Sequence, residues 1–197
     1  MALNNIASAM ALNGNLKESL IYSKKALSLD YNNLDVNYNL GCTLLDLGEI
    51  NDAIHYFKIV INLDSTYYYA YNNLGICYIK INKYNEAIKY LVNVLRLKED
   101  YFEAYSNLGS AYREIGQINK SIVFINYALK LNPKFAEAYS NLANSIREIG
   151  QIDEALLLYK KALQINENLH ISRNNLILTM NYSMKFSLED QKIELNK

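Results

Sequence analysis

AYSNLGSAYREIGQI, Ala104 to Ile118, and AYSNLANSIREIGQI, Ala138 to Ile152, are nearly the same text read 34 residues apart. The same offset recovers VNYNLGCTLLDLGEI from Val36 and AYNNLGICYIKINKY from Ala70. A more divergent copy, LNNIASAMALNGNL, starts at Leu3. A fixed period of this length marks stacked supersecondary units, none of which buries its apolar face alone. Five units fit the register: 1–33, 34–67, 68–101, 102–135 and 136–169.

Each unit contains two apolar stripes at helical spacing. In the fourth, Tyr105, Leu108, Tyr112 and Ile115 form one, and Ile118, Ile122, Ile125 and Leu129 the other, with Gly116-Gln117 between them. Gly14, Gly48, Gly116 and Gly150 share the position between the stripes, where the chain needs positive φ. Gly41, Gly75, Gly109 and Ala143 in the first helix, with Ala53, Ala87 and Ala155 in the second, are small where the two helices must approach. One proline and seven glycines in 197 residues is sparse punctuation, and suits an all-α chain.

The 34-residue helix-turn-helix with Leu-Gly in its first helix (A) and alanines in its second (B) resembles the tetratricopeptide repeat. Tyr71, Tyr105 and Tyr139 stand where that family often has tryptophan, and Tyr78 and Tyr112 fill its tyrosine position. Pro133 is the one proline at the family's end-of-unit site. The resemblance implies a tandem array coiled into a right-handed superhelix, an α-solenoid, with A helices lining a concave groove. Such grooves take extended peptides or partner helices.

With Leu34, Tyr68, Phe102 and Ala136 as first positions, the sixth reads Asn5, Asn39, Asn73, Asn107, Asn141 and Asn175. The resemblance puts this position in the groove. A side-chain amide offers a donor and an acceptor, so a row of amides suits a peptide backbone; it also suits cross-links between neighbouring helices. Arg113 and Arg147, each followed by a glutamate, lie one repeat apart near the inner edge of helix A. A carboxylate clamp of the chaperone-adaptor type is not expected, because its lysine and arginine places here carry Asn4, Asp35, Tyr38, Glu103 and Ser106.

Lysine plus arginine equal aspartate plus glutamate at 20 each, with no basic cluster, so nucleic acid is not an expected partner. No stretch has the length of a membrane span and the start lacks signal-peptide order, so a cytoplasmic location and no membrane contact are expected. Cys42 and Cys77 are too few and too scattered for a disulfide framework or zinc site, and read as protonated thiols. His55 and His170 have no catalytic or metal-ligand company in sequence. The expectation is a protein-binding module with no cofactor, metal or catalytic residue of its own, with some self-association through uncapped ends.

The stretch NNLILTMNYSMKFSLED, Asn174 to Asp190, opens as a sixth helix A and then departs from the pattern. Residues 170–197 are therefore expected to hold a capping helix and the start of a following segment, with Ser187 as N-cap before Glu189 and Asp190. Asn175-Leu176, Asn181-Tyr182 and Ser187-Leu188-Glu189-Asp190 are similar in spacing to the end of the repeats in bacterial-type O-linked N-acetylglucosamine transferases, although the proline and aspartate usual after Asn-Tyr are missing. That resemblance implies a substrate-selecting repeat region beside a separate catalytic domain. The alternative is a free-standing scaffold or co-chaperone.

Overall fold

The computed structural model describes residues 2–183 and Ile193, and among these every regular element is α-helical. Eleven helices follow in order: α1 (Ala2–Leu12), α2 (Leu16–Leu29), α3 (Leu34–Leu47), α4 (Ile50–Leu63), α5 (Tyr68–Lys80), α6 (Tyr84–Leu97), α7 (Phe102–Glu114), α8 (Ile118–Leu131), α9 (Ala136–Glu148), α10 (Ile152–Ile165) and α11 (His170–Met180). Odd-numbered helices are A helices and even-numbered ones B helices. The expected helix start at Ser187 lies outside the described residues.

The chain divides into two compact units, 1–99 and 100–197. In the first, α1, α3 and α5 pack side by side and each also packs on its own B helix. In the second, α7, α9 and α11 do the same, and α11 covers both α9 and α10. Within each unit the core lies between the A and B layers. In the second it is built on Ile125, Leu142, Ile146, Tyr159 and Leu176, with Ala128, Ala138 and Ala155 filling the close contacts.

The turns explain why the helices end where they do. Gly48 closes α3 at φ 82°, and the following amide, Glu49 N–H, returns to the Leu44 carbonyl at 2.9 Å. Gly14, Gly116 and Gly150 also have positive φ, and Gln117 and Gln151 repeat the return bond. In the third repeat Asn82 takes this conformation at φ 59°, and Lys83 N–H reaches the Tyr78 carbonyl at 2.8 Å. Asparagine is the side chain best able to replace glycine there.

Between repeats a second device recurs. Asp64, Asn132 and Asn166 end their B helices in extended conformation, and each side chain accepts from the amide two residues on, in Thr66, Lys134 and Asn168, at 2.8–3.1 Å. These Asx turns fix the exit angle by hydrogen bonding, with or without a proline such as Pro133. At the start of α3, Asn33 accepts from Val36 N–H and supplies the N-cap.

A and B helices touch where helix A has no side chain to spare. A Cβ built on Gly41 would lie 2.7 Å from the Phe57 ring, one on Gly75 2.6 Å from Leu91 Cγ, and one on Gly109 2.3 Å from Ile125 Cγ1. Leu91 and Ile125 are themselves fully buried, so neither can swing clear. Gly75→Ala is therefore expected to cost roughly 1–3 kcal/mol in chemical denaturation, the range for overpacking. Combining it with Leu91→Ala should cost less than the sum of the two changes; strict additivity would contradict the contact.

Candidate functional site

The A-helix face of the first unit is lined by polar groups of α1, α3 and α5. Asn39 Nδ2 donates to Asn4 Oδ1 at 3.2 Å and to Ser8 Oγ at 3.1 Å. One repeat on, Asn73 Nδ2 lies 3.2 Å from the Tyr38 hydroxyl and 3.5 Å from Cys42 Sγ. Each amide thus reaches the fifth and ninth positions of the preceding A helix. In the second unit, Asn141 Nδ2 reaches Ser106 Oγ at 3.0 Å and Asn175 Nδ2 reaches Asn144 Oδ1 at 3.2 Å, using one of those two positions each. Asn107 is half-buried on α7.

The donor half of these amides therefore braces A helix to A helix. The acceptor half is different: Oδ1 of Asn39, Asn73, Asn141 and Asn175 accepts no hydrogen bond from any described residue. All four residues are half-buried, open on the groove side. Each unit therefore carries side-chain carbonyls at 34-residue spacing, held in place by their own N–H groups.

Buried hydroxyls lock the same layer from behind. Ser19 on α2 and Thr43 on α3 are 3.0 Å apart, and Ser121 on α8 and Ser145 on α9 are 2.8 Å apart. Thr43, Ser145 and Thr179 each also donate to the carbonyl of the ladder asparagine four residues before it. The groups that present the amides are thus tied to both helix layers.

Two adjoining hollows of about 500 and 300 Å³ open on the first unit's A face, and Cys42 and Asp46 line both. Asn39 lines the smaller, and Asn73, Ile76 and Lys80 the larger. Burial pushes the Cys42 thiol up to about 11 and the Cys77 thiol up to about 12, so both are protonated at neutral pH. Burial likewise raises the Tyr38 phenol. Neither cysteine is in a disulfide, and no group of three or more His, Cys, Asp or Glu side chains among the described residues could hold a metal ion.

In the second unit the face is charged. Arg113 on α7 reaches Glu148 on α9 at 2.5 Å and also pairs with its neighbour Glu114. Arg147 is half-buried on α9. From behind, Tyr159 of α10 passes between the A helices and donates to Asn144 Oδ1 at 2.5 Å. Sequence reading did not assign Asn144, Cys42, Asp46 or Tyr159 to a site. Tyr159 was open to it, because the same place holds Phe57, Leu91 and Ile125 in the preceding repeats.

Sequence models of the tetratricopeptide repeat match residues 34–67, 56–89, 102–135 and 136–169, and a further TPR-repeat model matches 77–116. The chain belongs to the tetratricopeptide-repeat family. A crystal structure of MamA is 32% identical, covering 82% of this chain and 95% of that one with a TM-score of 0.68. TTC0263, a thermophilic TPR protein of Thermus thermophilus, is 22% identical over 91% of this chain and 98% of its own, with a TM-score of 0.80. YrrB, a TPR protein with an unusual peptide-binding site, is 19% identical over 89% and 90%, with a TM-score of 0.63. Among curated proteins, none matches the chain. These likenesses establish the α-solenoid fold class, and no helix among the described residues is long and apolar enough to cross a membrane.

The thiols set a pH dependence. In the unfolded chain they ionise near the ordinary value of about 8.5. The folded state holds its protons until about 11 for Cys42 and about 12 for Cys77. Above pH 8.5 the unfolded state binds fewer protons than the folded state, so stability is full below that value and falls as pH rises toward 11. Urea midpoints should be lower at about pH 10.5 than at about pH 8. The drop should shrink in the Cys42→Ala, Cys77→Ala double variant; an equal drop there would remove the thiols as its cause.

Proposed function

We propose that the A-helix faces of this TPR scaffold bind an extended polypeptide segment, gripping its backbone through the asparagine amides. One observation carries the reading: in each unit the ladder amides use their N–H groups internally and leave Oδ1 open on the groove side. Asn39, Asn73, Asn141 and Asn175 thereby offer acceptors to backbone N–H groups of a partner, and Asn107 belongs to the same sequence series. Backbone N–H groups occur in every sequence, so this grip is tolerant of side chains. Selectivity then falls to what lies beside the ladder: Cys42, Asp46 and Lys80 in the first unit, and Arg113 and Arg147 in the second.

A single net hydrogen bond contributes roughly 1 kcal/mol, so the ladder works by addition along the segment. The hydroxyl locks behind it keep the acceptors in register, which lowers the ordering cost on binding. The peptide-binding description of YrrB supports the same general role.

A narrower reading is a substrate-selecting repeat region of an O-linked N-acetylglucosamine transferase-like protein. It is supported by the asparagine series and by the Asn175-Leu176 and Asn181-Tyr182 spacing, and by nothing in the likenesses to MamA, TTC0263 or YrrB. A free-standing scaffold agrees with those likenesses at least as well, and we adopt it.

The test is capture of unstructured peptides from a random library by the whole chain, followed by affinity measurement. Asn73→Ala, Asn107→Ala and Asn141→Ala together are expected to weaken a captured peptide by about tenfold or more, at a temperature where circular dichroism shows the variant folded. Intact binding with only a lower melting temperature would leave the asparagines as helix cross-links and nothing else.

A further inference from the structure

Asn144 and Arg147 lie three residues apart on α9, on one side of the helix. The carbonyl of Asn144 accepts twice, from the Tyr159 hydroxyl at 2.5 Å and from Asn175 Nδ2 at 3.2 Å. Both lone pairs are taken, so the orientation of the amide is fixed. Its Nδ2 group points the other way, and neither of its N–H bonds meets an acceptor among the described residues. Tyr159 cannot relax this arrangement, because it is fully buried between the helix layers.

Arg147 is left over by the repeat register. In the preceding repeat Arg113 finds two carboxylates, Glu114 beside it and Glu148 on the next A helix. The residue one 34-residue period beyond Glu148 is Tyr182, an exposed phenol in place of a glutamate. Arg147 consequently forms no ion pair and no hydrogen bond among the described residues. Its guanidinium sits close enough to Tyr159 to be the main influence opposing the rise that burial gives that phenol. Glu148, the carboxylate next to it in sequence, is already engaged by Arg113.

A fixed amide N–H pair and an uncompensated guanidinium on one helix face make a two-residue donor set of single positive charge. The planar acceptor that matches it is a carboxylate. We propose that Asn144 and Arg147 form a carboxylate subsite in the second unit's groove, which selects extended peptides carrying an aspartate or glutamate side chain at that point. The subsite rests on the peptide-binding reading above, since the backbone must already run along the A face for its side chain to arrive there.

The experiment uses the whole chain, a displayed library of random peptides as probe, and synthetic copies of the selected sequences. Selected peptides should be enriched in Asp or Glu at one position. Replacing that residue by Gln or Asn should weaken binding about tenfold or more. Arg147→Gln should bind the acidic and neutral copies equally, while still selecting peptides. Tyr159→Phe should reduce the acidic preference by releasing Asn144, and its melting curve reports any loss of folding separately.

Selection of peptides with no acidic position would overturn the subsite and leave the groove reading standing. An acidic preference that survives in Arg147→Gln would also overturn it. Selection of no peptide at all would overturn the groove reading and the subsite with it. The comparison of acidic and neutral peptides on the unaltered chain decides the matter even where a variant fails to fold.

Discussion

Everything in this chain hangs on one close approach, repeated every 34 residues, between the eighth residue of helix A and a large side chain of helix B. Gly41 faces Phe57, Gly75 faces Leu91 and Gly109 faces Ile125 at separations no added methyl could share. With the pair closed, the small residues of helix B sit against the next A helix. The A helices then come near enough for an asparagine to reach its neighbour, and the distances of 3.0–3.2 Å at Asn39, Asn73, Asn141 and Asn175 follow from that packing. The fifth repeat shows how one constraint leads into the site. Alanine replaces glycine at Ala143, and the residue sixteen further on is not aliphatic but Tyr159, whose hydroxyl emerges on the groove side to hold Asn144.

The fold was legible because its signals are local and repeated. A 34-residue period, paired stripes at helical spacing and a glycine between them specify helix-turn-helix units without any knowledge of partners. Asn82 was missed as a turn residue because asparagine is frequent throughout this chain, and only its φ of 59° separates it from the others. The junctions at Asp64, Asn132 and Asn166 were missed for a related reason: an Asx turn depends on a side chain accepting two residues on, and Asp and Asn do this in many settings.

The candidate site was legible in position and not in chemistry. The asparagine series stands out at sixth positions, yet sequence cannot say which end of an amide a neighbour consumes. The answer depends on groups 31 and 35 residues earlier, such as Ser8 and Asn4 for Asn39. Those partners vary from hydroxyl to amide to thiol while the geometry stays the same. Arg113 and Arg147 look equivalent in sequence and differ in the structure, because Glu148 serves the first and Tyr182 stands in the corresponding place for the second. The two units accordingly offer different surfaces on one scaffold: protonated thiol, Asp46 and Lys80 in the first, and a paired and an unpaired arginine in the second.

The central claim is that Oδ1 of the ladder asparagines accepts from the backbone N–H groups of an extended partner. Its most direct test is the affinity of a captured peptide against copies N-methylated at one backbone position at a time. Methylation removes a donor and leaves every side chain in place. The account predicts a sharp loss of affinity at alternating or regularly spaced positions, with the remaining positions tolerant. Equal affinity for every N-methylated copy would mean that the asparagines hold the helices together and leave the peptide to other groups.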